Sequence, residues 1–559
     1  MNALEGRENC HPVTKTADAG SKNGRGARAA IWVGAGIFLS KTAGLLREVV
    51  FANYFGATAV ADVWRAALRT PNVIQNLLGE GTLSASLIPV YAEFLEEGRE
   101  EEAGHFAGAS LGILTVVSFG LALLGIVLAP LVIPVVLWKW DPWMQELTVT
   151  IVRILFPMTA VLVISAWALG ILNSHRRFFV SYVAPVAWNL ALITTMVGVG
   201  TYLGWDRMGR DADLAVAMAW GALGGGVLQL LIQTPWLVPL LSGFRLSLGR
   251  RVAGVREAVR NFLPVVAARG AVNISGWIDI ILAHTLVTGA LAMLGFAQIL
   301  YMLPISIFGM AIAASELPEL SRRRGEIEGV LVPRVRGALE RIAFLIIPSA
   351  LAYLVLGDLF IAALFQRGEF GPDVTGATYV ILAAYSLGLP ASASSRTLSS
   401  AYYAVRDTRT PAVIATIRVV LSITVGASLM FPLDRLAVGD LRLGAAGLAF
   451  GSAVGAWVEY VLLRRRLSQH LGSHGPRASR IARFIIAGLM AVAVGFAAKR
   501  LLGFSSEPGL LPELLGEASF WLNPLAALGT GGAFGVTYLW MASLLGVEMP
   551  LGRKPHSGS

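Results

Sequence analysis

The 559-residue chain is 55% hydrophobic and 14% charged, with formal net charge +10 and mean hydropathy +0.66. Soluble domains carry about 25% charged residues, so a string of soluble domains is excluded. Apolar runs this long and this rich in Ala, Gly and Leu exclude the alternating strands of a membrane barrel.

Residues 1–28 are polar, with Lys15, Lys22, Arg25 and Arg28, and read as a flexible basic cytoplasmic tail. No short apolar region with a small-residue cleavage site follows, so a removed signal peptide is not expected. Cys10 is the only cysteine, which rules out an intrachain disulfide. From residue 29 onward, apolar windows of about 20 residues recur, each long enough to cross a bilayer. They predict an all-α polytopic membrane protein of about fourteen transmembrane helices: 29–54, 58–94, 107–138, 146–172, 180–204, 212–241, 262–288, 291–319, 342–365, 374–404, 411–431, 443–463, 481–501 and 521–546. With the N-terminus inside, His175-Arg176-Arg177, Arg250-Arg251, Arg322-Arg323-Arg324 and Arg464-Arg465-Arg466 all fall in inner loops. Inner segments then hold about 29 Lys and Arg against about 8 outside, which sets both termini in the cytoplasm. The positive charge therefore acts as a topology signal, and no nucleic-acid partner is expected.

A weak internal repeat accompanies this pattern. Gly56-Ala57 precedes Pro71 by the same interval that separates Gly289-Ala290 from Pro304, and basic-aromatic loops lead to Pro185 and to Pro411. Six helices separate equivalent positions, so the copies share one orientation, related by an axis along the membrane normal. The expected organisation is a tail (1–28), an N-terminal six-helix lobe (29–241), a C-terminal six-helix lobe (262–463) and two additional helices (481–546). Chance recurrence of Gly and Pro is the alternative.

Charges inside spans are costly, about 2.5–3.5 kcal/mol each at a helix centre on insertion scales, and they concentrate in the first two helices. Span 1 carries Lys41, Arg47 and Glu48; span 2 carries Asp62, Arg65, Arg69, Asn72, Asn76 and Glu80, spaced 3, 4, 3, 4 and 4 apart. That spacing makes one polar stripe on an otherwise apolar helix, which must face other helices or a water-filled cavity. Pro71 removes a backbone hydrogen bond mid-stripe, predicting a bend there that alternating access could use. Lys41–Glu48 and Asp62–Arg65 are open to reading as ion pairs. Arg47 and Arg69 have no obvious local acid, which favours an anionic ligand, since a guanidinium binds phosphate oxygens bidentately. Asp279, deep in span 7, is open to two readings: an ion-coupling acid, or a partner of Arg396 or Arg418. Asp407 is likewise either an ion-coupling acid or a helix cap. No P-loop, nucleotide-binding glycine fingerprint, HExxH or CxxC pair occurs, so neither a catalytic residue nor a metal site is expected.

The run Ser40-Lys41-Thr42-Ala43-Gly44-Leu45-Leu46-Arg47-Glu48, then Phe55-Gly56-Ala57, Asp62, Pro71-Asn72, Gly79-Glu80-Gly81 and Pro89-Val90-Tyr91-Ala92-Glu93, resembles the MviN/MurJ lipid II flippases of the multidrug/oligosaccharidyl-lipid/polysaccharide exporter superfamily. Asp407-Thr408-Arg409-Thr410-Pro411 extends a looser similarity. The resemblance implies two six-helix lobes around a cationic cavity, two extra helices forming a groove for the lipid tail, and no cofactor. It also implies translocation driven by membrane potential, Na+ or H+. Arg47 matches a family arginine at the diphosphate; Asp62 and Glu80 match family acids; Asp279 falls where some members place a sodium-binding acid. The chain departs from the pattern at Lys41, usually arginine, at Gln75 and Asn76, where arginine is usual, and at Ile299, where a cavity arginine is expected. Arg65 is an addition.

The expected function is a flippase of the bacterial inner membrane for lipid II or a related polyprenyl-diphosphate glycan, with membrane lipids and cell-wall synthesis machinery as surroundings. The substrate-binding set is Lys41, Arg47, Asp62, Arg65, Arg69, Asn76 and Glu80. A multidrug exporter of the same superfamily would need an acidic cavity. A membrane enzyme acting on polyprenyl phosphates would need paired carboxylates, whereas Asp62 and Glu80 are about 27 Å apart along one helix. A scaffold for cell-wall machinery is the third rival.

Overall fold

The computed structural model describes residues 19–204, 210–249, 252–309, 332–404, 407–438, 441–472, 475–504, 508–516 and 519–547, without the side chains of 19–34, 80, 203, 267–276, 404, 438, 441, 470 and 471. Arg250, Arg251, Arg322, Arg323, Arg324, most of the basic tail and the Glu80 side chain therefore lie outside the described residues. What is described is almost wholly helical. The helices are α1 (Ala19–Phe55), α2 (Ala59–Leu78), α3 (Glu80–Ser86), α4 (Ile88–Glu96), α5 (Glu100–Val136), α6 (Pro142–Ser174), α7 (Phe178–Leu203), α8 (Asp211–Leu237) and α9 (Val255–Ala283). They continue with α10 (Ala290–Pro304), α11 (Val332–Phe365), α12 (Pro372–Ser386), α13 (Leu389–Ala404), α14 (Arg409–Leu433), α15 (Gly444–Leu471), α16 (Ala478–Leu502), α17 (Leu510–Leu515) and α18 (Leu522–Leu544). A two-residue antiparallel hairpin, Ala437–Val438 with Leu441–Arg442, sits between α14 and α15.

Ten of the described helices are long and apolar enough to cross a membrane, and eleven spans result if the pair α12 and α13, bent by 44°, counts as one. Fourteen crossings are thus not established by apolarity. Of the expected spans, 29–54 and 262–288 fall on α1 and α9, part of whose side chains lie outside the described residues, and 58–94 is divided among α2, α3 and α4. Lipid-facing apolar surface is plain elsewhere: α5 leaves Leu123, Val127, Leu131 and Val135 exposed, as a bilayer requires.

Span 2 breaks where the sequence did not predict it. Pro71 stays inside an unbroken α2, and the chain leaves the helix at Gly79, whose backbone is extended, and again at Leu87. A Cβ on Gly79 would stand 2.3 Å from the Gln75 carbonyl oxygen, so only glycine fits this turn. The interruption of span 2 thus lies eight residues beyond Pro71.

The cores locate the cavity. One apolar cluster unites the two halves of the chain through Phe51, Phe55, Trp64, Phe296, Phe365 and Phe370. Phe296 is its hub, with ring centroids 5.1 Å from both Phe365 and Phe370 and 6.1 Å from Phe51. At the other end the packing separates: Leu83, Phe94, Phe106 and Trp167 belong to one cluster, and Leu339, Leu398, Tyr402 and Leu463 to another. The halves are joined at one end and packed apart at the opposite end.

Candidate functional site

The joined end is a backbone seam. Gly289 comes so near α1 and α2 that a Cβ would stand 2.2 Å from the Ala57 carbonyl; at Gly56 it would meet the Glu369 carbonyl at 2.3 Å, and at Gly368 that of Asn53 at 2.2 Å. All three glycines have positive φ, so a side chain would be both strained and obstructed. Asp62 completes the seam. Its carboxylate accepts the backbone N–H groups of Gly289 at 2.6 Å and Ala292 at 2.8 Å, capping α10 from across the interface, where the helix dipole favours an anion. Asp62 is buried. It is a latch between halves, and Arg65, the partner left open to it by the sequence, bonds to Glu48 instead.

Arg65 belongs to the same seam. It donates to Glu48 at 2.6 Å and its guanidinium lies 4.9 Å from the ring centroids of both Phe51 and Phe296. Gly295 leaves it room: a Cβ there would be 3.0 Å from Arg65 Nε. A cation between two phenyl faces, held by a buried carboxylate, has its charge compensated by protein, and Arg65 shares that carboxylate with its neighbour.

Arg47 is that neighbour. It donates to the other oxygen of Glu48 at 2.5 Å and lies 5.0 Å from the Trp188 ring centroid. The sequence reading left Arg47 without an acid and Glu48 with Lys41; the structure gives Glu48 to Arg47 and Arg65. Arg47 lines a chamber of about 460 Å³ together with Asn72, Gln75, Asn76, Asn189 and Gln229. Asn189 and Gln229, on α7 and α8, were missed because they are uncharged: Asn189 is a lone polar residue in an apolar run, and the i, i+4 pair Gln229 and Gln233 carries no charge to mark it. Their facing partners appear only on packing: Gln229 donates to Ser165 at 2.9 Å, and Ser165 in turn to Gln233.

Arg69 is exposed and makes no hydrogen bond or ion pair among the described residues; its electrostatic partner is Asp279 of α9. Asp279 is exposed too. It pairs with neither Arg396 nor Arg418, the latter being bound to Glu459 at 2.6 Å. Lys41 is exposed on α1. Asp407 accepts from the backbone N–H groups of Arg409 at 3.1 Å and Thr410 at 3.0 Å. That is a helix cap, the second of its two readings. Among the described residues no three His, Cys, Asp or Glu side chains gather as a metal site.

The chain has counterparts among known proteins. A profile of the lipid II flippase MurJ family matches residues 51–507. A probable lipid II flippase MurJ of Rhizobium meliloti (strain 1021) is 31% identical over 481 residues, covering 84% of this chain and 86% of that protein. The lipid II flippase MurJ of Burkholderia cenocepacia is 30% identical, covering 78% and 82%. In fold, the chain is similar to a lipid II flippase MurJ in an inward closed conformation, with TM-score 0.73 at 20% identity over 92% of this chain and 98% of that one. It is less similar to an inward-facing multidrug resistance MATE transporter of the MOP superfamily, with TM-score 0.60 at 18% identity over 79% and 98%. On the family match and these identities, the chain belongs to the lipid II flippase MurJ family, a family of multi-pass membrane transporters and not of enzymes.

Proposed function

We propose that this chain carries lipid II from the inner to the outer leaflet of the bacterial cytoplasmic membrane, with both termini in the cytoplasm, by alternating access between its two lobes. The observation that carries the reading is Arg47 at the wall of a polar chamber, braced by a buried Glu48 so that its guanidinium is held in one orientation. The charges of this region are Lys41, Arg69 and the two arginines that share Glu48, Arg47 and Arg65, set against Glu48 and Asp279. Their surplus of two positive charges balances a diphosphate diester, which bears two negative ones. With the N-terminus inside, the seam closes the extracytoplasmic end, so the cargo's head enters from the cytoplasmic leaflet. Release then requires Asp62 to leave Gly289 and Ala292 as the lobes rock. Asp279, facing Arg69, supplies the position at which Na+, H+ or membrane potential would couple to that motion. Asn76 contributes hydrogen bonds at the chamber wall.

A drug exporter fits this charge balance poorly, since a cationic drug would meet a surplus of positive charge. The test is native mass spectrometry of the purified protein with complementation of a flippase-depleted strain. Wild-type protein should retain lipid II, and Arg47→Ala should lose it and fail to support growth while still inserting. Full growth of the Arg47→Ala strain would count decisively against the proposal.

A further inference from the structure

The proposed cargo is negative at two chemically different places: the diphosphate, and the carboxylates of its peptide. The cations around the chamber account for the first. A second pair of guanidiniums, in the other half of the molecule, does not belong to that set.

Arg396 lies mid-way along α13 and is exposed, and its guanidinium makes no hydrogen bond or ion pair among the described residues. Snorkelling explains arginines near helix ends. It does not explain one about 12 Å from the end of α13, at 1.5 Å per residue. A lipid-facing guanidinium at that depth is strongly disfavoured. The direction it faces follows from its neighbour one turn earlier. Ser392 shares its face, and Ser392 accepts a 2.6 Å hydrogen bond from the Tyr301 hydroxyl of α10. That face is therefore turned towards α10, whose other residues reach the lobe seam. Tyr301 stacks on Tyr385 at 5.1 Å. Tyr385 stands in the field of Asp279 and Arg69, and Tyr301 in that of Arg396, Arg418 and Glu459. Arg418 enters α14 to about the same depth, since the two helices flank one loop. One side of Arg418 is neutralised by Glu459. A polar band thus runs from Arg69 through Asp279 and the stacked tyrosines to Arg396, where it ends in one unbalanced positive charge.

We propose that Arg396, supported by Arg418, forms a second anion subsite that takes a peptide carboxylate of the cargo and selects a peptide-bearing head over a bare polyprenyl diphosphate. The inference rests on the lipid II reading above. A single surplus charge suits a carboxylate, and the planar guanidinium fork matches its two oxygens.

The experiment measures binding by the full-length protein in detergent of two probes, lipid II and a polyprenyl diphosphate of the same chain length. Arg396→Gln should weaken lipid II binding about tenfold or more, the scale of a charge-assisted bidentate contact, and leave the bare diphosphate within about twofold. Arg47→Ala should weaken both. Lipid II with its peptide carboxylates amidated, offered to the unaltered protein, should reproduce the Arg396→Gln loss, and this arm needs no variant to fold. Equal loss of both probes in Arg396→Gln, or undiminished binding of amidated lipid II, overturns the subsite while leaving the transport reading intact. Failure of the unaltered protein to bind either probe overturns both.

Discussion

Glu48 holds two guanidiniums at once, Arg47 at 2.5 Å and Arg65 at 2.6 Å, with all three side chains largely removed from solvent. A buried pair is expensive to break because the surviving charge has lost both water and partner, typically about 3–5 kcal/mol. Glu48→Gln preserves shape and removes the charge. It should lower stability by an amount on that scale and weaken binding of the cargo as Arg47 loses its brace. Thermal unfolding in detergent and lipid retention by native mass spectrometry check the two effects separately. Of this arrangement the sequence showed that charges stand in spans 1 and 2, and that Arg47 suits a phosphate. It could not show that Glu48 serves both arginines. The pairing partner is one residue away in one case and seventeen in the other, and no spacing rule covers both.

Docking of the last two spans also depends on a buried pair. Lys499 of α16, 5% exposed, donates to Asp358 of α11 at 2.5 Å and lies 4.6 Å from the Phe504 ring centroid. Asp358→Asn should leave Lys499 uncompensated and cost several kcal/mol, whereas Asp358→Leu with Lys499→Met should recover most of the loss. Recovery of the unfolding temperature in the double variant is the measurement. At this same scale, α2 continues through Pro71 and the chain leaves it at Gly79. Proline in a membrane helix removes one hydrogen bond without ending the helix, while Gly79 takes an extended conformation against a carbonyl that a Cβ would strike. The sequence displays both residues; which of them turns the chain is decided by what packs beside each.

Closure of the whole molecule is concentrated where Asp62 caps α10. Asp62→Ala leaves the N–H groups of Gly289 and Ala292 buried without their acceptor, at about 1–3 kcal/mol, and removes a contact that exists only while the halves are joined. The equilibrium should shift towards the state open at the seam. In a background with Cys10→Ser, a cysteine placed at Ala57 should react faster with an impermeant thiol reagent in the Asp62→Ala variant than in its parent. An unchanged rate would remove Asp62 from the latch.

Residues alone determined that this chain crosses a membrane many times, that it falls in a flippase family, and that its first two helices carry functional charge. Apolar run length, loop charge and helical spacing are local properties, so they survive without coordinates. Only the tertiary structure decided how each buried charge is satisfied. Asp62 and Arg65 lie on the same stripe as Arg69 and Asn76, yet the first two meet α10 across a seam while Asn76 faces the chamber. A helix has one stripe but several neighbours, and the neighbour, not the spacing, determines whether a charge holds the protein together or remains free for a ligand.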